Sequence, residues 1–264
     1  MLEITILKVR HGGDTKLEAR LEAQKVRPHI ESCDVFSVEG SCATRDSAEH
    51  YELEQMDAQD KLDDIRDFFE VQSMIHTLNE NPREAPTSRA WGDRIERYIF
   101  INKTPVYVSE RWDDQKKASD LSEQHDSGEG LIDRAVDLLQ AGHLQDSVNS
   151  FYEGLILDMG VIVQRDRHIA GNFLEAEQTI RDKYKKLKSK EVIRLKLVIG
   201  SNHRPELYTN LPVQVLSLVE ESSLQVPSYR RAIELVRRDV PKDDVIPVLN
   251  AAAKEMLEYK NFRT

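Results

Sequence analysis

Cysteine, a surplus of basic charge and long apolar runs are what this chain has little of. Cys33 and Cys42 are its two cysteines, too few for a disulfide framework, which points to a reducing compartment and away from a small secreted scaffold. Lys and Arg total 37 against 47 Asp and Glu, a formal net charge of −10, with a pI of about 5.4. Phosphate backbones and anionic membranes demand a basic surface, so neither a nucleic acid nor a membrane is expected as partner. A small anionic ligand in a local basic pocket stays compatible with that balance. No stretch approaches the roughly twenty apolar residues of a membrane span, and the N-terminus lacks a basic segment followed by an apolar one. A soluble, unprocessed, cytoplasmic protein is the expectation. No repeat of fixed period stands out.

What is present is a set of short apolar strands that end in chemistry. With 264 residues the chain is long enough for a substantial core, and it reads as a single α/β domain over residues 1–264. Ile4 to Val9 is a strand rich in β-branched residues that runs into Arg10, His11, Gly12 and Gly13. Leu17 to Ile30 fits a crossover helix, and Val35 to Val38 a second strand running into Glu39 and Gly40. Ile193 to Ile199 is a later strand, followed by Gly200, Ser201, Asn202 and His203. The fold class that follows is α/β: a central, mostly parallel or mixed sheet with helices on its faces and a helical insertion. Three strand ends then carry His11, Glu39 and His203, where open α/β sheets bind their ligands. One strand, one helix and one strand between His11 and Glu39 would put these two on adjacent strand ends.

Between the strands the pattern is less regular. Asp46 to Asp67 suits a solvated helix, and its acidic group Asp57, Asp60, Asp63, Asp64 and Asp67 lacks the spacing of a calcium loop. Asn79 to Pro86 reads as a loop, and Arg97–Ile101 with Pro105–Val108 as a hairpin. Residues 112–130 have almost nothing apolar to bury and read as a mobile acidic loop. Residues 131–163 read as a helical hairpin insertion, with helices over Leu131–Leu144 and Ser147–Val163. Arg165 then opens a helix to Leu187 whose buried stripe is Ile169, Phe173, Ala176, Ile180 and Tyr184. Tyr208–Val219 suits a helix or a strand; Tyr229–Arg238 and Asp244–Tyr259 suit helices. The last of these can pack within the chain or against a second copy, so an oligomer is compatible.

Two histidines and a glutamate in one crevice permit two kinds of chemistry. One is a general base that activates water; the other is a nitrogen-and-oxygen site for a divalent metal ion, held by His11, Glu39 and His203. Arg165 at a helix start would place its planar fork to stabilise a carboxylate or a developing oxyanion. Taken singly, His29, His50, His76, His125, His143 and His168 read as surface or packing residues.

The quoted residues resemble those of the TraB, TIKI and erythromycin-esterase-like superfamily. Asp34-Val35-Phe36-Ser37-Val38-Glu39-Gly40 is similar to its strand ending in Glu. Arg165-Asp166-Arg167-His168-Ile169-Ala170-Gly171-Asn172 resembles its Arg-led helix, and Gly200-Ser201-Asn202-His203 its second histidine motif. The resemblance covers residues 1 to 45 and 160 to 212. It implies a site of His11, Glu39, Arg165 and His203 and, as activity, hydrolysis of a peptide or ester bond, with or without a metal, in a small-molecule or peptide substrate. Leu7-Lys8-Val9-Arg10-His11-Gly12 also resembles the opening of the histidine phosphatases. That implies His11 as phosphorylated nucleophile and Arg10 as phosphate clamp, yet leaves the Arg165 helix without a role. A third reading keeps the fold and uses the crevice only to bind a ligand or a regulator.

Overall fold

The computed structural model describes residues 1–9, 15–38, 43–61, 86–219 and 226–261. Where the sequence suggests one domain, the chain packs as two compact units, Met1–Asp113 with His168–Val219 and Asp114–Arg167 with Glu220–Thr264.

The first unit is an α/β layer structure. Its five strands are β1 (Leu2–Val9), β2 (Val35–Val38), β3 (Val106–Val108), β4 (Ile193–Gly200) and β5 (Val213–Ser217). All neighbouring pairs are parallel, in the order β3-β2-β4-β1-β5. A parallel sheet is covered on both faces, and β4 accordingly becomes continuously apolar from Leu197 to Ile199, after Arg194 and Lys196 alternate with apolar residues in its first half. One face buries Ile4, Ile6, Leu195, Leu197 and Ile199 against Ile169, Phe173, Ala176, Ile180 and Tyr184. The expected stripe is therefore the residue set that covers this face. The other face buries Leu7, Val9, Phe36 and Val198 under α1 (Lys16–Glu31) and α3 (Pro86–Ile101), through Ala19, Ala23, Val26, Ile30, Trp91, Ile95, Tyr98 and Ile99. Each such aliphatic side chain taken from water is worth about 1.5–3 kcal/mol. Thr15 and Glu18 close a capping box at the start of α1, and α2 (Arg45–Lys61) precedes α3.

Two local expectations are corrected here, and one left open between helix and strand is decided. Arg97–Ile101 is the end of α3 and not a hairpin strand: its β-branched run is short, while Trp91, Ile95, Tyr98 and Ile99 recur at helical spacing and bury together. Tyr208–Val219 resolves into the strand β5. Finally, β1 and β2 are not neighbours, because β4 lies between them and pairs with both. Chain order alone does not reveal that a strand arriving some 150 residues later is inserted there.

The second unit is helical. Its elements are α4 (Gln115–Gln140), the first part of α5 (Leu144–Lys183), α6 (Pro227–Arg237) and α7 (Lys242–Asn261). Residues 112–130 are thus no mobile loop. Asp114 caps α4 by accepting from the backbone N–H groups of Lys116 and Lys117, and Ala118, Leu121 and Gly128 bury one thin stripe while the charges face water. A helix needs fewer apolar residues than a loop search assumes when its buried side is made of small ones. The hairpin does form, with its turn at residues 141–143, where Gly142 takes φ +85. Gly128 and Gly154 mark the close approach of α4 and α5: a Cβ on Gly154 would lie 2.8 Å from the Gly128 carbonyl oxygen. Ala135, Leu139, Val148, Phe151, Leu155, Ile233, Val245 and Leu249 share one core.

Arg165 does not open a helix. It lies just past the middle of α5, a helix of 40 residues, because no Pro interrupts 144–183 and the side chain of Asp166 is engaged elsewhere instead of capping a start. Among the described residues no helix is long and apolar enough to cross a membrane.

Candidate functional site

The carboxyl edge of the sheet is set by register. Val9 of β1 is level with Gly200 of β4, and Val38 of β2 with Val198 of β4. The strands that lead to His11, Glu39 and His203 therefore stand side by side, with the His203 strand in the middle. Chain leaving β1 heads for β2 on one side and chain leaving β4 heads for β5 on the other, the arrangement that opens a crevice at the end of such sheets. His11 and Glu39, like Cys42, lie outside the described residues.

His203 is 4% exposed. Its backbone N–H donates to the Gly200 carbonyl (3.1 Å), folding the chain sharply off β4, and its ring packs 3.6 Å from where a Cβ on Gly200 would stand. The 3₁₀ turn Pro205–Leu207 follows. There Glu206 accepts from the Nζ of Lys8 at 2.5 Å, both side chains nearly buried. This ion pair ties the last turn of β1 to the loop that carries His203. The second carboxylate oxygen of Glu206 is buried with no hydrogen-bond partner among the described residues, which makes the Lys8 contact the more costly to lose.

A second polar layer follows β3. Ser109, Glu110, Arg111 and Trp112 are all buried, and residues on α5 hold their backbone. Asn172 donates from Nδ2 to the Ser109 carbonyl (2.9 Å), and His168 from Nε2 to the Arg111 carbonyl (2.5 Å). A carbonyl only accepts, so the proton of His168 is on Nε2. Trp112 donates to Glu110 (2.7 Å), and Ser109 donates from both N and Oγ to the Val38 carbonyl at 3.1 Å. Deeper, the carboxylate of Glu52, fully buried on α2, takes Arg111, Lys183 and the Val108 N–H. The Arg111 guanidinium also lies 4.4 Å over the Tyr107 ring. Burial raises the Tyr107 hydroxyl to about 12, so it is a neutral donor at physiological pH.

The four residues expected to form the site are thus distributed unevenly. His203 sits at the sheet edge of the first unit. Arg165, buried at 6% exposure, belongs to the second. In that unit Asp166 pairs with Arg237 (3.3 Å) and His125 with Asp158 (Nδ1 to Oδ1, 2.7 Å). The hydrogen bond to Asp158 raises the His125 imidazolium above its ordinary pKa, against the lowering effect of burial. His168 and Asn172, parts of the motif, and His125, expected to pack, each make a specific polar contact. The four-residue spacing of His168 and Asn172 beside the apolar Ile169 puts both on one helix face, against the segment that follows β3.

Among the described residues no three His, Cys, Asp or Glu side chains cluster as a metal site. His203 with His11 and Glu39 is a donor set chemically suited to a divalent ion. Cys33 is no rival nucleophile, since burial pushes its thiol up to about 12. A groove of about 770 Å3 lies beside the starts of β1 and β5, lined by Leu2, Ile4, Phe173, Leu211 and Val213. It is at the end of the sheet opposite His203, and the polar groups on its lining are Glu3, Thr5, Gln214 and the Met1 amino group paired with Glu177. No protein-family model, curated protein or solved structure matches the chain.

Proposed function

We propose that this protein is a cytoplasmic hydrolase of the TraB and TIKI kind that cleaves a peptide or ester bond of a small-molecule or peptide substrate at the carboxyl edge of its parallel sheet. The observation that carries the reading is the strand order β2-β4-β1, with β1 and β4 ending level. It makes neighbours of the three strands that the resemblance needs, and it seats the buried His203 on the central one. Glu39 or His11 takes a proton from the attacking water, and His203, held by the turn at Gly200 and by the Lys8–Glu206 tie, contacts the substrate carbonyl. If a divalent ion is bound, His11, Glu39 and His203 hold it, and it supplies Lewis acidity toward that carbonyl. Arg165, which belongs to the second unit, is given no step at this edge and is tested by its own variant.

The test is a panel of peptide and ester substrates assayed with wild type, Glu39→Gln, His203→Ala and Arg165→Gln, each checked for native circular dichroism, together with elemental mass spectrometry of the untagged protein. Losses of about 10²-fold or more at Glu39 and His203 are expected, the range of a removed acid–base group. Unchanged activity in both variants would sink the proposal. Trapping of labelled phosphate on His11 would replace it with the phosphatase reading, and ligand binding without turnover would leave a binding protein.

A further inference from the structure

Far from the carboxyl edge, three arginines gather around one small pocket. Arg27 on α1 and Arg94 and Arg97 on α3 line it, with Tyr98, Ile101 and Asn102; its volume is about 260 Å3. Both α1 and α3 run back from the carboxyl edge to deliver β2 and β3, so their C-terminal ends lie at the amino edge of the sheet. The pocket is therefore at the opposite end from His203 in the same unit.

A cation near a helix C-terminus has an ordinary explanation in the helix dipole. Three around one cavity go beyond that in a chain of net charge −10: Arg27 is offset by Glu31, and no carboxylate is among the described lining residues. Tyr98 organises them. Its buried ring has the guanidinium carbons of Arg27 and Arg94 at 5.6 and 5.5 Å from its centroid, and its hydroxyl accepts from Nε of Arg94 (3.1 Å). Arg27 spends its Nε on Glu31 (2.6 Å). With Nε fixed in both residues, the forks are oriented in advance while their terminal nitrogens remain for a ligand, and Arg94 has no carboxylate partner among the described residues. Asn102 is anchored by its own Nδ2 to the Tyr98 carbonyl (2.8 Å), and Ile101, half exposed, adds an apolar wall. Planar forks converging on a cavity of this size suit a tetrahedral dianion with a short organic substituent.

We propose that Arg27, Arg94 and Arg97 form a binding site for the phosphate group of a small phosphomonoester, separate from the site at His203. The cavity admits a phosphate and a few carbons, and Ile101 is placed to touch them.

Calorimetric titration of the full chain at constant ionic strength tests this, with inorganic phosphate and glycerol 3-phosphate as probes and sodium chloride as the control. One saturable site per chain is expected, weakened about tenfold or more in Arg94→Gln and in Arg97→Gln. Arg94→Lys, which keeps the charge but loses the fork, should also bind several-fold more weakly, and it guards against misfolding of the glutamine variants. Tighter binding of glycerol 3-phosphate than of inorganic phosphate would assign an organic phosphate, and equal binding free phosphate. His203→Ala should leave either affinity unchanged. Absence of saturable binding, full affinity in the Arg94→Gln/Arg97→Gln double variant, or loss of binding in His203→Ala would each overturn the proposal.

Discussion

His168 and Trp112 lie face to face, their ring centroids 3.8 Å apart and their planes within 8°. The stack holds the imidazole in the plane from which its Nε2–H reaches the Arg111 carbonyl, so one side chain fixes both the ring and the backbone of the segment that follows β3. His168→Phe preserves the stack and removes the donor, leaving a buried carbonyl unsatisfied at a cost of about 1–3 kcal/mol. His168→Ala loses the stack as well and should cost more. Urea unfolding midpoints of the two variants decide the order; equal losses would mean that the stack contributes nothing.

The carboxylate of Glu52 is shared by Arg111 and Lys183 in the buried layer. Glu52→Gln removes the buried charge partner of both cations, leaving Arg111 only the more distant Glu49 at 3.9 Å, and unfolding should become easier by about 3–5 kcal/mol, the usual result of breaking a buried pair from one side. Arg111→Met combined with Glu52→Gln should recover part of that loss, a coupling that a double-mutant cycle reads directly.

Two glycines should respond in opposite ways. At Gly154 a methyl group would meet the Gly128 carbonyl oxygen at 2.8 Å and Ile132 Cγ1 at 2.9 Å, so Gly154→Ala should destabilise by about 1–3 kcal/mol through forced separation of α4 and α5. At Gly200 the nearest atom is the His203 ring at 3.6 Å, an ordinary contact, and Gly200→Ala should fold normally. Thermal melting distinguishes the two; a normal melt for Gly154→Ala would contradict the close approach.

The His125–Asp158 pair gives the second unit a pH response. A folded imidazolium raised above 6.5 by Asp158 contributes stability that is fully present below 6.5 and disappears as pH climbs through the raised folded-state value. Glu129, 3.4 Å from Nε2, adds to the raising, and Arg165 opposes it. Unfolding free energy measured from pH 6 to 9 should therefore fall with rising pH in wild type and lose that component in His125→Gln. Parallel curves for the two proteins would refute it.

Much of the sheet was legible because its strands are short, apolar and terminated by polar residues: β1, β2 and β4, and the stripe from Ile169 to Tyr184, stand where the pattern puts them. The expectation failed where packing overrode local pattern. Residues 115–130 form a helix because Ala118, Leu121 and Gly128 suffice for a thin buried side. Arg165 sits inside a long helix because a continuous helix needs only the absence of a breaker, which a motif match does not register. Of the candidate site, the strand ends could be read and the support could not. Lys8 and Glu206, or His168 and Arg111, are far apart in sequence, and nothing local announces that a lysine in a strand will be neutralised by a glutamate almost two hundred residues away.

β1 and β4 end level, Val9 beside Gly200, and the buried Lys8–Glu206 pair stands at that same edge. The turn that carries His203 is therefore pinned on both sides, by the Gly200 carbonyl before it and by Glu206 after it. A ligand that reaches this ring meets a stiff wall, which gives way only when an ion pair breaks.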